Sequence, residues 1–316
     1  MRAHQFIVTS FLLAVLVTPS FARDYLRSPL PNKIYLASKI DGQPFYGLVG
    51  EKGKKSRWYI AQWGIRFEFP AVIDCLGSCT DRTWQVRNAD DSGRIKFTHT
   101  GPTGNVADLT QDTFGSRLIG CDPTQEFDLL LLPTNTTHAV DNYPGSPEGW
   151  VKPSRRPTLG AVTNLHIQVR QEVVSATQGT RCNAPYNLAS TLIGVVFLNQ
   201  VTGHTLFYQI VSYDSRNASF NGSWFMTEAP YFGVNDDMAV YNRPLLVSGA
   251  PSVWYDIDIA ERVKFLIRTS PYLPGDTIGP HKDLKNWQLA QVYFGSLING
   301  EAALTSRHSE IRLYSE

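Results

Sequence analysis

Trp287-Gln288-Leu289-Ala290-Gln291-Val292-Tyr293-Phe294 sets Trp287, Leu289, Gln291 and Tyr293 on one side of an extended chain. Gln288, Ala290, Val292 and Phe294 fall on the other. Successive side chains of a strand point to opposite faces, so this spacing predicts a β-strand. Neither side is wholly polar. That predicts a strand inside a sandwich, with one face in the core and the other lining a groove. Gly295 and Asn299-Gly300 punctuate the run. Asn-Gly is a hairpin turn signal, so the chain is expected to end in a hairpin whose last strand is Glu310–Tyr314.

The same reading extends along the chain. Short runs at 33–39, 57–63, 94–98, 127–132, 165–174, 192–198, 205–213 and 252–257 are rich in Val, Ile, Tyr, Phe and Thr. Their lengths and residue types suit pleated, half-buried strands. Aromatic residues make up 12% of the chain, beside 24 Gly and 19 Pro, which favours strands and turns over a helix bundle. The expected fold is all-β, an antiparallel two-sheet β-sandwich. Residues 139–160 carry Pro144, Pro147, Pro153 and Pro157 and read as a long surface loop or crossover. One continuous domain over residues 23–316 is expected.

Arg2, an apolar run from Phe6 to Val17 and Ser20-Phe21-Ala22 form the pattern of a secretory signal over residues 1–22. The expected protein is secreted or periplasmic, and no membrane span is expected, because the run is too short and no longer one follows. Removing residues 1–22 takes one cation, Arg2, from 29, leaving 28 against 28 acids. A neutral chain has no general electrostatic attraction to nucleic acid, so no nucleic-acid partner is expected. Cys75, Cys79, Cys121 and Cys182 are an even set in an exported chain and read as two disulfides. Three pairings are open; the short 75–79 spacing allows a local loop, which would leave Cys121 with Cys182.

Three carboxylates, Asp256, Asp258 and Glu261, precede the apolar Val263, Leu266 and Ile267. Asp258 and Glu261 have the N-cap and N3 spacing of an Asp-headed capping box. A short amphipathic helix over 259–269 is predicted, with Arg268 near its far end suiting the dipole and Ser270-Pro271 stopping it. Asp256 is left without a structural task. The run Asp256-Ile257-Asp258-Ile259-Ala260-Glu261 also resembles the Glu-x-Asp-x-x-Glu pattern of concanavalin-like glucanases of the laminarinase type. That resemblance implies a concanavalin-like or jelly-roll sandwich whose outer two carboxylates work on a sugar chain. This sequence has Asp at the first position, which shortens the nucleophile's side chain by one carbon, and the activity is not carried over.

Two tryptophans on opposite faces of 57–63, Trp58 and Trp63, cannot both enter one core. With Trp150, Trp224 and Tyr231 they are candidate platforms for a sugar ring. Glu68, Glu228 and Asp256 are the candidate catalytic acids, because burial raises a carboxyl pKa toward general-acid work. Asp236 and Asp237 are candidate oxygen ligands for a structural calcium. No metalloprotease, serine esterase or nucleotide motif is present. The expected partner is a polysaccharide or oligosaccharide. The expected function is carbohydrate binding through an aromatic-lined groove. The alternatives are a glycoside hydrolase or polysaccharide lyase, and a non-enzymatic adhesive surface protein. The oligomeric state is not legible.

Overall fold

The computed structural model describes residues 23–25, 36–40, 43–45, 58–61, 72–75, 83–87, 93–99, 109–117, 127–133, 156–180, 187–275, 279–299 and 302–315. The first nine strands are β1 (Arg23–Asp24), β2 (Leu36–Ile40), β3 (Gln43–Phe45), β4 (Trp58–Ala61), β5 (Val72–Cys75), β6 (Thr83–Arg87), β7 (Gly93–His99), β8 (Leu109–Arg117) and β9 (Phe127–Pro133). They are followed by β10 (His166–Gln178), β11 (Leu188–Asn199), β12 (Thr205–Asp214), β13 (Asn221–Glu228), β14 (Tyr231–Asp237) and β15 (Val253–Asp258). Helix α1 (Ala260–Thr269) comes next, then β16 (Trp287–Asn299) and β17 (Ala302–Ser315).

Two sheets result. The first runs β15-β10-β17-β8-β7-β6-β5, with β1 added beside β17. The second runs β13-β14-β12-β11-β16-β9-β4-β2-β3. All pairings are antiparallel except β12 with β14 and β2 with β4. The fold is the all-β two-sheet sandwich with one short helix that the sequence predicts. Residues of β10 alternate between buried and half-exposed as far as Val173, the pattern of a strand with one face in a core. Every residue of β11 is buried, which places it at the centre of the second sheet. The core joins Ile167 and Val169 of β10 to Ile193 and Val195 of β11 and to Val263, Leu266 and Ile267 of α1.

Three expectations change. First, β16 and β17 are not a hairpin. β16 is hydrogen-bonded on both edges, by β11 and β9, so no edge is left for the next strand. The chain crosses to the other layer instead. There Ser306 Oγ of β17 meets Ser296 Oγ of β16 at 2.9 Å across the interior. Second, the face assignment of 287–294 is broken by a bulge. Val196 pairs with Gln291 and Phe197 with Leu289, so Ala290 is the extra residue. One extra residue flips every later side chain to the opposite face. The core set is therefore Trp287, Leu289, Val292 and Phe294, and all eight residues are buried on one face or the other. Third, Asp258 ends β15 and does not head a closed capping box. The N-cap position is Ile259, while Asp258 Oδ1 accepts from the N–H groups of Ala260 and Leu165 at 2.9 Å each. Glu261 turns to Lys264, whose Nζ lies 2.7 Å away and also donates to the Val162 carbonyl. The helix itself runs as predicted to Thr269, with Arg268 in its last turn.

Candidate functional site

The bulge at Ala290 decides which residues of β16 leave the core. Gln288, Gln291 and Tyr293 are turned to the face of the second sheet that lies away from the first sheet. Tyr293 sits opposite Gly194 of β11, and Gly194 sits opposite Gln209 of β12. The Tyr293 ring lies flat over that glycine: a Cβ built there would be 1.9 Å from Tyr293 Cζ. Gln209 Nε2 reaches across and donates to Tyr293 Oη at 2.6 Å. One strand farther out, the same device recurs. Phe225 of β13 pairs with Gly233 of β14, and a Cβ at Gly233 would lie 2.0 Å from Phe225 Cζ. A glycine inside a strand marks a place where something must approach the backbone closely. Here it is an aromatic ring in both cases.

Gly233 also pairs with Phe207, and Asn235 with Gln209. Phe207 and Tyr231 stand with ring centroids 6.3 Å apart, tilted by 52°. The result is a row of rings and amides across neighbouring strands: Phe225, Tyr231, Phe207, Asn235, Gln209 and Tyr293. All but Tyr293, which is buried, are half-buried. Asn235 Oδ1 has no hydrogen-bond partner among the described residues. Flat apolar ring faces beside amides that both donate and accept suit a ligand that is apolar on its faces and hydroxylated at its rim.

Gly194→Val tests this packing directly. The branched side chain must displace the Tyr293 ring and break its bond with Gln209. The expected cost is about 1–3 kcal/mol of stability, read from urea unfolding, with a change in tyrosine near-UV signal. An unchanged signal and midpoint would show that the ring does not rest on this glycine.

A second constellation lies on the outer face of the first sheet. β15 is an edge strand whose Tyr255 and Ile257 enter the core while Asp256 points out. Register places Gln168 opposite both Asp256 of β15 and Arg312 of β17, and His166 opposite Tyr314. Asp256 Oδ1 is 2.9 Å from His166 Nδ1. Its Oδ2 accepts from Gln168 Nε2 at 2.8 Å and Tyr314 Oη at 3.4 Å. Partial burial works to raise the Asp256 pKa. The hydrogen bonds from Gln168, His166 and Tyr314, with the charge of His166, outweigh it and hold the carboxyl below its ordinary value.

Comparison with known proteins finds no matching family model and no matching curated protein. Solved structures with a similar layout include the native family 12 xyloglucanase from Bacillus licheniformis. It is 10% identical, with 78% of this chain and 98% of that one covered and a TM-score of 0.42. Endoglucanase 3 from family GH12 of Trichoderma harzianum is 8% identical over 83% of this chain and 97% of its own, at a TM-score of 0.35. The family 11 xylanase from Neocallimastix patriciarum is 8% identical over 82% and 95%, at 0.32. Likeness this loose decides nothing about chemistry, which has to come from the chain's own residues.

The residues singled out in the sequence divide clearly. Tyr231 stands in the row of rings. Trp224 is on the opposite face of β13, stacked on Phe232 at 6.3 Å and edge-on to Tyr272 at 5.9 Å, packed against the core. Asp236 is fully buried. Its oxygens accept from Arg262 Nε and Nη2, Tyr208 Oη and the Gly222 N–H, all at 2.7–2.8 Å. Tyr208 Oη also bonds Tyr241 Oη, and burial raises both phenols, Tyr208 well above the ordinary range. Asp237 accepts from the N–H groups of Ala239 and Phe220 and from Ser219 Oγ. Both aspartates proposed for calcium are thus engaged by protein donors, and among the described residues no group of three or more His, Cys, Asp or Glu gathers around a common point. Glu68, Trp63, Trp150, Cys79, Cys121 and Cys182 lie outside the described residues, as do the side chains of Trp58, Cys75 and Glu228.

Sequence reasoning missed Gln209, Tyr293, Phe207 and Phe225. In a strand, such residues read as ordinary packing. The signal that marks two of them is the isolated glycine, Gly194 and Gly233, inside an otherwise bulky run.

Proposed function

We propose that this chain is an exported β-sandwich protein that binds a polysaccharide or oligosaccharide along the ring-bearing face of its second sheet. The observation that carries this reading is the row from Tyr231 and Phe207 through Gln209 to Tyr293, with the Asn235 amide oxygen left without a partner among the described residues. Pyranose rings present C–H faces to aromatic rings and hydroxyls to amides, and this row offers both. No helix among the described residues is long and apolar enough to cross a membrane. The hydrolase reading requires a second carboxylate matched to Asp256. Asp258 is committed to backbone N–H groups, whereas the row of rings and amides needs no second acid, so binding is the reading preferred.

Affinity electrophoresis on soluble glucans, xylans and mannans tests the proposal. Phe207→Ala and Tyr231→Ala are each expected to weaken retardation on the order of tenfold, the loss typical of an aromatic anchor. Phe265→Ala, which removes an exposed ring elsewhere on the molecule, should leave it unchanged. Equal retardation of all three variants would sink the reading.

A further inference from the structure

The Asp256 constellation does more than the fold asks of it. Asp256 and His166 are on the outer face, with side chains 33% and 24% exposed, and neither fills the core. Yet three side chains from two neighbouring strands, His166 and Gln168 of β10 and Tyr314 of β17, bond the one carboxylate of Asp256. Asp256 is held as an anion and can only accept, so the proton of the His166 contact sits on Nδ1. In the neutral imidazole, Nε2 then carries the lone pair. The ring is held in place by stacking on Tyr314, with centroids 5.0 Å apart and planes 16° from parallel. Gln168 spends its amide N–H on Asp256, and its Oε1 faces Arg312 Nη1 at 3.5 Å. The Arg312 guanidinium lies over the Tyr314 ring, 5.2 Å from its centroid. A proton acceptor of fixed tautomer, the carboxylate that orients it and a guanidinium therefore share one patch.

The chemistry open to that set is narrow. Glycoside hydrolysis requires two working carboxylates. Among the described side chains near Asp256, Asp258 serves backbone N–H groups, Glu310 pairs with Arg170 and Glu172 with Arg307. Nucleophilic acyl transfer requires a hydroxyl or thiol on the base; among the described residues the hydroxyl of this cluster, that of Tyr314, donates to Asp256 and accepts from Gln168. Removal of a proton α to a carboxylate requires a base and a cation to take up the charge that develops on the carboxylate. His166 and Arg312 are that pair.

We infer that the outer face of the first sheet is a β-elimination site for uronate-containing polysaccharides. Arg312 pairs with the uronate carboxylate. His166 Nε2 takes the C5 proton, the freed electron pair forms the C4=C5 double bond, and the C4–O glycosidic bond breaks. The departing oxygen takes a proton from solvent, and His166 returns its own to solvent, so no oxidant or reductant is consumed. His166 and Arg312 touch the substrate; Asp256 is a positioning residue. This inference shares with the proposed function only that the ligand is a glycan, since the two faces are on different sheets. Loss of binding on the second sheet leaves it standing, and the reverse is also true.

The test incubates the full chain with polygalacturonate, alginate and hyaluronan, and with the same polymers after reduction of their carboxyl groups. Formation of unsaturated ends is followed by ultraviolet absorbance. Absorbance is expected to rise with at least one native polymer and with no reduced one. His166→Gln should lower kcat by about 10²–10⁴-fold, the usual worth of a general base. Asp256→Asn should lower kcat with little change in KM, with partial recovery in Asp256→Glu, a split that a merely structural role would not produce. Thermal unfolding and retardation on neutral glucans, run on every variant, confirm that each is folded. Absence of unsaturated ends with all three native polymers overturns the inference. So does equal cleavage of the reduced polymers, or an unchanged rate in His166→Gln.

Discussion

Asp236→Ala is expected to lower the unfolding free energy by about 3–5 kcal/mol, the range for breaking a buried ion pair from one side. The carboxylate accepts four hydrogen bonds: two from Arg262, one from Tyr208 and one from the Gly222 backbone. Its removal leaves a guanidinium, a phenol and an N–H without their acceptor, each costing desolvation that folding no longer recovers. Arg262 retains 21% exposure against none for Asp236. The arginine can therefore draw on solvent where the aspartate could not, and the loss should fall toward the lower end of that range. Urea unfolding reads it as a lower midpoint at unchanged slope. Replacing both partners with apolar residues, Asp236→Leu with Arg262→Met, should recover much of the loss, because the uncompensated charge is then gone. A single variant as stable as the parent would show that this pair does not hold α1 to the second sheet.

Lowering the pH from 6.5 toward 3 is expected to remove about 5 kcal/mol through His308 alone, at about 1.4 kcal/mol per pH step. Its imidazole is fully buried between the sheets, and burial pushes its pKa from 6.5 down to about 3. Nε2 lies 3.2 Å from Thr191 Oγ1, and Nδ1 has no partner among the described residues. The sign follows from which state binds the proton. Above pH 6.5 neither folded nor unfolded His308 is charged, and the contribution is fully present. Below it the unfolded chain takes up a proton that the folded one refuses, so stability falls with pH until the folded imidazole also titrates. Carboxylates titrate in the lower part of the same window, so the measurement is the difference between the parent and His308→Gln. The two unfolding free energies should converge or cross as pH drops, with the parent losing more. Parallel curves from pH 7 to 4 would remove His308 as the cause.

These two cases mark the limits of a linear reading. Asp236 reads as an oxygen ligand in a run of acids, because Asn235-Asp236-Asp237 puts three polar residues together. In the strand, alternation sends Asp236 to the core side and its two neighbours to the other face. What meets it there is Arg262, 26 residues away. Asp256 has no task in the sequence, since its partners His166 and Gln168 lie 90 and 88 residues earlier. Tyr231 is legible as a candidate ring because it lies in loop-like sequence, although it belongs to β14. Gln209 and Tyr293 are not, because their meeting depends on a glycine in a third strand.

Whereas β13 and β14 do not stand out in the sequence, the two-layer class, the limits of α1 and the strands with clear alternation, such as β10, β11, β12 and β16, follow from alternation, β-branched content and the Ser270-Pro271 stop. All are local preferences carried by residues near one another in the chain. Tertiary structure alone decided three other things: that β16 and β17 divide between the sheets, that Ala290 bulges, and which side chains face outward. Pairing partners come from distant segments, and one unpaired residue in a ladder reverses the facing of all that follow it. No count along the chain contains that reversal.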